Sequence, residues 1–430
     1  RGIDLVLESG EAPRNRMPLA AALRRLDTTH TLAALIAKHG ARLGQAHDTA
    51  VHWLLAELCR DGAITQETGD ELAAILRQLL REAPGPHLLG SLEQQLPVLL
   101  PCSATMRAAF VDPLIEISAR FRAERTIDLI TAAIVGIGAD ALPPVWDALE
   151  HHPMEHVRLL MTSLLPDILI RASETERRTG ILRLLDGLRR AEQGTERSAL
   201  VLSAARAAST PPLECDASLM QHLDAAAIGL GQRGYESLGY IAAMTGCLPT
   251  RRAAIAEHLL QDACAELPDA PSPATPDPAT GEMTFQLDEN LASHTEHVPL
   301  ILIALARIGR SASCESAVLG RIVERLVTQW KNVANWRLIW GPGNVHELAR
   351  TLSQLASSPS FPGPLRVRIA EALVPQISQL PVARALARIL TLGDGPYLAR
   401  LAGRAAEELV KLAASGRDFA EDEREELLES

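Results

Sequence analysis

Residues 141–169 contain the pattern that most limits how this chain can fold. The first part has apolar residues at i, i+3, i+4 and i+7, the spacing of one face of an α-helix: Leu142, Val145, Trp146 and Leu149. The segment His151-His152-Pro153 interrupts this pattern, and a second helical stripe follows over residues 157–165. Two short amphipathic helices joined by a turn cannot bury both apolar faces by themselves. The hairpin therefore predicts similar pairs stacked on either side, as in α-solenoids.

The hairpin also matches a known type of repeat. The matching positions are the pair that opens the first helix, a residue near its end, the turn, and the pair that opens the second helix: Pro143-Pro144, Leu149, His152-Pro153 and Val157-Arg158. On these residues the hairpin resembles a HEAT repeat of the HEAT/armadillo family. Residues 106–109, 366–373 and 398–409 resemble further second helices, at uneven spacing. The resemblance implies an all-α fold, an irregular HEAT/armadillo-like α-α superhelix (solenoid) of stacked helical hairpins.

Length and composition agree with such an array. A chain of 430 residues accommodates about ten helical pairs at the ~40 residues of a HEAT-type repeat. Leu and Ala dominate, aromatic residues make up only 3%, and alternating runs of strand length are nearly absent, so helix is predicted almost everywhere. The net charge of −11 argues against a protein whose main task is to coat nucleic acid. An acidic total still leaves room for a local basic face.

Five segments are predicted along the chain. They are a poorly ordered N-terminal segment, N-terminal solenoid repeats, a Pro-rich acidic loop, C-terminal solenoid repeats and an acidic terminal helix or tail: residues 1–16, 17–267, 268–287, 288–415 and 416–430. The loop is either a linker between two lobes or an insertion that protrudes from one array. Helices of similar character resume after it, which favours the insertion. Pro113 is expected to kink or split a helix over residues 103–122.

Cysteine use and hydropathy bear on the compartment. The six cysteines form no C-x-x-C pair and no cluster, so we interpret them as small core residues in a reducing compartment and expect a cytoplasmic protein. No apolar run is expected to reach the ~18–20 residues of a membrane span, and the start does not resemble a secretory signal. The chain begins with Arg1, so we expect it to be a piece of a longer protein.

Local signatures of the common enzymes are missing from the sequence: there is no nucleophile elbow, phosphate-binding loop, dinucleotide fingerprint or H-E-x-x-H. We therefore predict a non-catalytic protein without a cofactor. Two groups have the residue types of a metal site, namely His151, His152 and His156 with Glu150 and Glu155, and His294 with His297. Pro153 divides the first group, and the second would need two further ligands. Both are interpreted as ordinary helix or turn residues, and no metal is predicted.

Residues 327–347 concentrate aromatic side chains in a chain that has few of them. The predicted binding residues are Trp330, Asn332, Trp336, Arg337 and Trp340. Trp and Arg contribute most where a partner excludes water, so this composition is typical of a binding hot spot. In the alternative interpretation the rings fill gaps in an Ala-rich core. Armadillo proteins hold peptides with Trp and Asn from successive repeats, but here the Trp residues belong to one unit.

These observations favour a scaffold that binds another protein through the concave surface of its solenoid. The Ala-, Leu- and Arg-rich, Lys-poor repeats with the Asn335-Trp336-Arg337 segment also resemble type III effectors of plant-pathogenic bacteria built on this fold, which would imply delivery into a host cell. Nucleic-acid binding is the alternative, through four arginine doublets: Arg24-Arg25, Arg177-Arg178, Arg189-Arg190 and Arg251-Arg252. An α-helical enzyme is a third class. Partner identity and oligomeric state are not predicted.

Overall fold

A computed structural model describes much of the chain. The described residues are 66–82, 102–191, 194–210, 213, 217–263, 289–311, 314–335, 348–357, 361–377, 380–390 and 396–414. Regular structure in these ranges is helical throughout, without a β-strand. Most helices that follow each other in the chain pack against each other, so the expected all-α fold of stacked helical hairpins is confirmed.

The chain divides into two compact units, Arg1–Ala207 and Ala208–Ser430. The first contains α1 Gln66–Glu82, α2 Ala104–Arg120, α3 Glu124–Ile137, α4 Leu142–His151, α5 Glu155–Leu169, α6 Glu174–Gly187 and most of α7 Gly194–Ser209. The second contains α8 Ala217–Ile228, α9 Tyr235–Ala243, α10 Pro249–Ala263, α11 Glu289–Arg310, α12 Ser316–Asn335, α13 Gly363–Leu373, α14 Leu380–Leu390 and α15 Pro396–Ala414. Residues 348–356 are also helical.

The predicted hairpin forms as α4 and α5. The two helices pack against each other, α2 contacts α4, and α3 contacts α5, which is the neighbour pattern of stacked pairs. The predicted apolar face of α4 is buried at Val145, Trp146 and Leu149, and that of α5 at Val157 and Met161. Because each face is covered by a neighbouring helix, the hairpin obtains from stacking the burial that it cannot supply alone.

Five arginines at the fourth residue of a described helix tie that helix to a nearby chain segment. They are Arg107 of α2, Arg158 of α5, Arg177 of α6, Arg252 of α10 and Arg366 of α13, and each donates to a backbone carbonyl. Several of these carbonyls belong to the end of another helix, where backbone C=O groups lack intrahelical partners. A charged donor satisfies such a group well. This contact explains why an arginine recurs near the start of the stretches that resemble second helices of a repeat, at residues 106–109, 157–158 and 366–373.

Pro113 does not split its helix, which was one of the two outcomes expected from the sequence. Helix α2 runs unbroken from Ala104 to Arg120 and keeps Pro113 inside it, buried among neighbours such as Phe110 and Leu114. Its start is the predicted one, because the Ser103 side chain accepts a hydrogen bond from the Met106 N–H at 3.2 Å. Tertiary packing therefore retains a helix that the proline alone would weaken.

One stretch, Glu124–His151, is long and apolar enough by length and composition alone to cross a membrane. The sequence expectation that no run reaches that length overlooked it. In the structure this stretch comprises α3, the 3-10 turn Gly138–Ala141 and α4, and Gly138 adopts a positive φ of 77° where the helices meet. Side chains such as Ile130 and Ile134 lie in the core. Core helices of globular proteins have the same composition.

The Pro-rich loop, residues 268–287, lies outside the described residues, as do the predicted segments 1–16 and 416–430. The helices that flank this loop, α10 and α11, pack against each other and belong to the same compact unit. The loop therefore joins two neighbouring helices of one unit. The division of the chain falls instead between Ala207 and Ala208, at the end of α7.

Candidate functional site

The charged cleft is a cavity of about 380 Å³ in the first compact unit. The end of α4, the turn into α5, α6 with the turn after it, and the start of α7 form its walls. Its polar residues are Glu150, His151, His152, Arg158, Arg183, Arg190 and Glu196, over an apolar floor of Leu149 and Leu200. This volume is within the range of ligand-binding pockets, although the polar lining differs from their usual apolar one.

A capping box at its start and a close contact at Gly180 position helix α6. Ser173 and Glu176 form a capping box at the start of α6, so the backbone N–H groups of the first turn find acceptors. Further along, Gly180 lies against Leu169 of α5, and a Cβ at this position would meet the Leu169 Cδ2 atom at 2.5 Å. This close approach sets the position of α6 and of the arginines that it carries into the cleft.

Two arginines share one carboxylate oxygen at one end of the cleft. The Glu150 Oε1 atom accepts hydrogen bonds from Arg183 Nε at 2.8 Å and from Arg190 Nη2 at 3.1 Å. The guanidinium of Arg183 also lies over the ring of Trp146, 4.6 Å from its centre, in a cation–π contact. The hydrogen bond from Arg183 lowers the pKa of Glu150 to about 2, with Arg190 contributing, against the opposing effect of burial. Glu150 is thus ionised at neutral pH.

A second ion pair lies at the other side of the cleft. Arg158 Nε donates to Glu196 Oε1 at 2.9 Å, and Arg158 Nη1 donates to the carbonyl of His152 at 2.9 Å. The ion pair joins the first turn of α5 to the first turn of α7. The side chains of Arg158 and Glu196 are only 23% and 12% exposed, whereas those of Arg183 and Arg190 are 43% and 59% exposed. The solvent-accessible guanidinium groups therefore belong to Arg183 and Arg190.

The three histidines of the hairpin have separate surroundings. His151 Nδ1 lies 3.1 Å from Asp147 Oδ1, His152 Nδ1 accepts from the Met154 N–H at 3.2 Å, and the His156 Nε2 atom is buried without a hydrogen-bond partner. In the part of the chain that the structure describes, no three His, Cys, Asp or Glu side chains are placed to hold a metal ion. His294 and His297 lie on α11, and their side chains are outside the described residues.

Trp330, predicted as a binding residue, lies in the core of the second unit. Its side chain is 1% exposed, and its Nε1 donates to the carbonyl of Ala372 at 2.9 Å. For this ring the core-filling alternative is therefore correct, because α13 covers it. The side chain of Asn332 lies outside the described residues, as do Trp336, Arg337 and Trp340 entirely, so their binding role stays a prediction.

Among the described arginine doublets, only Arg189-Arg190 has both residues exposed. Arg177 and Arg252 are 3% and 1% exposed and bind carbonyl oxygens. Arg251 pairs with Asp224 at 2.6 Å, and Arg190 pairs with Glu150. Residues 24 and 25 are outside the described part of the chain. With a single exposed doublet, the described residues form no phosphate-binding stripe built from several doublets.

A smaller apolar cavity of about 250 Å³ lies in the second unit, between α8, α9 and α10, with Ile228, Leu238 and Ile255 in its lining. At its edge His258 packs edge-on against Tyr235, whose hydroxyl donates to Asp262. The hydrogen-bonded carboxylate and burial together raise the pKa of Tyr235, with burial the larger cause. The phenol is thus neutral at ordinary pH and acts as a donor that joins α9 to α10.

The charged cleft was not predicted as a binding site, although its Glu150 and two of its histidines had been considered as metal ligands. Arg183 and Arg190 are seven residues apart, a spacing that predicts one helical face from the sequence, although α6 ends at Gly187 and Arg190 lies in the turn after it. Glu150 is separated from them by 33 and 40 residues along the chain, close to the length of one helical pair. Only the stacking of consecutive pairs brings these side chains together.

Comparison with known proteins adds little to this description. No protein-family model matches the chain, and no curated protein matches its sequence. Among solved structures the chain aligns with "Structure of the TSC2 N-terminus" over 91% of this chain and 98% of that chain, at 12% identity and a TM-score of 0.27. A likeness of this size carries no argument about fold or function. The class of protein is defined by the described residues themselves, as an all-α protein of stacked helical pairs.

Proposed function

We propose that this chain is a non-catalytic helical-repeat scaffold that binds another protein, and that the charged cleft is part of the binding surface. The observation that carries the proposal is the convergence of Arg183 and Arg190 on the single carboxylate of Glu150, at an open cavity between consecutive helical pairs. Arginine is enriched in protein interfaces because its planar, permanently charged group donates several hydrogen bonds at once.

The electrostatics of the cleft suit recognition better than proton transfer. A general base or acid works best with a pKa near the working pH, and the arginines hold the pKa of Glu150 at about 2 instead. The second carboxylate, Glu196, is occupied by Arg158 at 2.9 Å. Met154, in the same turn as His152, is 45% exposed and adds apolar surface next to these charges. Apolar and guanidinium groups side by side are typical of protein-binding surfaces.

The sequence alternative of nucleic-acid binding finds little support in the described residues, since Arg177 and Arg252 are buried and Arg190 and Arg251 are paired with carboxylates. The concave surface of a solenoid and the segment with Trp336 and Trp340 stay within the proposal as further contact regions. The resemblance to plant-pathogen effectors directs the first search for a partner toward host proteins.

Affinity capture with matched baits tests the proposal. The intact chain, its Arg183→Glu variant and its Arg189→Glu variant would each be incubated with host and bacterial lysates, with and without nuclease treatment, and the captured proteins and nucleic acids would be identified. Arg189 is the control because it is exposed in the turn that follows α6 but does not line the cleft. A discrete protein retained by the wild type and by Arg189→Glu, and lost with Arg183→Glu, is the expected result.

Two other results would contradict parts of this proposal. Recovery of nucleic acid alone from lysates not treated with nuclease would overturn protein binding in favour of the nucleic-acid alternative. A protein that all three baits retain equally would support the scaffold but place its binding surface away from the cleft.

A further inference from the structure

The geometry of Arg183 leaves one edge of its guanidinium available for a ligand. Its Nε donates to Glu150 at 2.8 Å, and one of its faces lies over Trp146. Among the described residues, neither Nη group has a hydrogen-bond acceptor. Nη1 and Nη2 form a planar fork whose spacing matches the two oxygens of a carboxylate. Two protein contacts therefore fix the plane of the guanidinium before a ligand arrives, which lowers the entropic cost of binding.

The charge balance at this end of the cleft identifies the kind of anion. Arg183 and Arg190 together carry two positive charges, and Glu150 supplies one negative charge that both share. The neighbouring pair of Arg158 and Glu196 is neutral. Among the charged residues that line the cleft, one positive charge is therefore uncompensated. A monoanionic carboxylate would balance it, whereas a phosphate monoester, which carries nearly two negative charges at neutral pH, would leave an excess next to Glu150.

We propose that the charged cleft binds a single carboxylate group of the partner protein, held by the Nη1–Nη2 edge of Arg183 with Arg190 as a second donor. This inference rests on the protein-binding function proposed above and names its chemistry. Glu150 and Trp146 are positioning residues, since they orient Arg183 and do not contact the ligand. This carboxylate belongs either to an Asp or Glu side chain within a segment of the partner or to the free C-terminus of the partner chain.

Two random peptide libraries separate these sources. One displays internal segments without a free carboxyl terminus, and the other displays free C-termini. Each would be selected on immobilised wild-type protein, on Arg183→Gln and on the control Arg189→Gln. The expected result is enrichment of Asp and Glu in the first library, or of peptides that need their free carboxylate in the second, on the wild type and on Arg189→Gln alone.

Fluorescence anisotropy with one enriched peptide then measures the carboxylate contact. Replacing the acidic residue of the peptide by Asn or Gln, or amidating the peptide's C-terminus, should weaken binding to the wild type about tenfold to a hundredfold. This is the range of a lost charge-assisted hydrogen bond. The Arg183→Gln variant should show the same loss with the unmodified peptide. A version of the peptide with phosphoserine at the acidic position should bind the wild type more weakly than the carboxylate version.

The positioning role of Glu150 has its own measurement. Glu150→Gln removes the negative charge but keeps a side-chain oxygen that can accept from the arginines, so the cleft would carry two uncompensated positive charges. The preference for carboxylate over phosphoserine peptides should then reverse. A purely structural role for Glu150 would weaken both peptides alike and leave the preference unchanged, which would overturn the charge-balance argument.

Other outcomes distinguish failure of the carboxylate site from failure of the proposed protein binding. Peptides that bind Arg183→Gln as tightly as the wild type would overturn the carboxylate site while leaving protein binding intact. The carboxylate site would also be overturned if the first library enriched no Asp or Glu and the second enriched no peptide that needs its free C-terminus. Whether the scaffold function itself fails is decided independently, by the lysate capture with the Arg183→Glu and Arg189→Glu baits.

Discussion

The indole nitrogen of Trp330 donates a hydrogen bond of 2.9 Å to the backbone carbonyl of Ala372, 42 residues further along the chain. This bond joins α12 to α13 in the second unit, and the ring around it is 1% exposed. The largest aromatic side chain described in that unit is thus a core residue with a satisfied polar atom, as buried Trp residues generally are.

Replacing Trp330 should destabilise the second unit. We expect Trp330→Ala to lower the free energy of unfolding by about 3–5 kcal/mol, because it leaves a large cavity and an unpaired carbonyl. Trp330→Phe should lose less, about 1–3 kcal/mol, mainly through the unsatisfied Ala372 oxygen. Urea denaturation followed by circular dichroism measures both, with the exposed Arg321→Ala on the same helix as the control. Equal stability of Trp330→Ala and the control would contradict the burial of this ring.

The two arginines of the doublet at 251 and 252 should behave differently. Arg252 is 1% exposed and donates to the carbonyls of Ala242, Met244 and Cys247 at 2.8, 3.2 and 3.0 Å. Arg252→Met leaves these buried acceptors without that donor, so we expect a loss of about 2–4 kcal/mol in unfolding free energy.

Arg251 provides the matched comparison. Its partner is Asp224 at 2.6 Å, and its side chain is 37% exposed, so Arg251→Met should cost no more than about 1 kcal/mol. The measurement is thermal and urea unfolding of both variants under identical conditions. Similar losses for the two variants would show that the doublet acts as a pair, contrary to the structure.

Helices α9 and α11 approach each other closely at Gly239. A Cβ at this position would lie 2.6 Å from the Ala304 Cα atom, so the two helices would have to move apart. We expect Gly239→Ala to cost about 1–3 kcal/mol or more through overpacking. Gly320→Ala on α12 is the control: its Cβ would meet nothing within 4 Å, and the change should stabilise the helix by about 0.5–1 kcal/mol. Opposite signs in melting temperature are expected.

The ion pairs of Glu150 should make the first unit sensitive to acid. The folded-state pKa is lowered from 4.5 to about 2, chiefly by the Arg183 hydrogen bond. A lowered carboxylate pKa stabilises the fold fully above the unfolded pKa, and this contribution disappears as the pH falls from about 5 toward 2. Because Arg183 and Arg190 are largely exposed, we expect only about 1–2 kcal/mol.

Comparison of wild type with Glu150→Gln measures this contribution. The wild type should be more stable near neutral pH, and the difference should shrink toward zero as the pH approaches 2. Glu116→Gln, at an exposed residue of α2, serves as the control. A difference that stays constant from pH 7 to 3 would show that the effect of Glu150 is not electrostatic.

Periodicity in the sequence predicted many helices closely. Helices α4 and α5 begin and end where the apolar stripes and the turn at residue 153 placed them, and the starts of α2 and α6 follow from serines at the cap position. These features are local, since they depend on residues a few positions apart, and a sequence displays them directly. A split at Pro113, one of the two expected outcomes, did not occur, because the tolerance of a helix for proline depends on packing from other helices.

Local periodicity did not predict which candidate binding residues are buried. Aromatic and basic residue types pointed to Trp330 and to the arginine doublets, yet Trp330, Arg177 and Arg252 proved to be buried. A Trp or Arg side chain combines a large apolar body with polar donors, so it suits a core with free carbonyls as well as a binding surface. Residue type alone could not distinguish these two environments.

The amino-acid sequence by itself determined that this protein is helical and that its helices pair, because helical periodicity and capping act over one or two turns. The tertiary structure decided which arginines are buried against carbonyl oxygens and which line a cleft. That decision rests on contacts between residues 33 to 40 positions apart, such as those of Glu150 with Arg183 and Arg190. Distances of this kind are set by how closely consecutive helical pairs stack, and the stacking depends on the fit of whole helix faces.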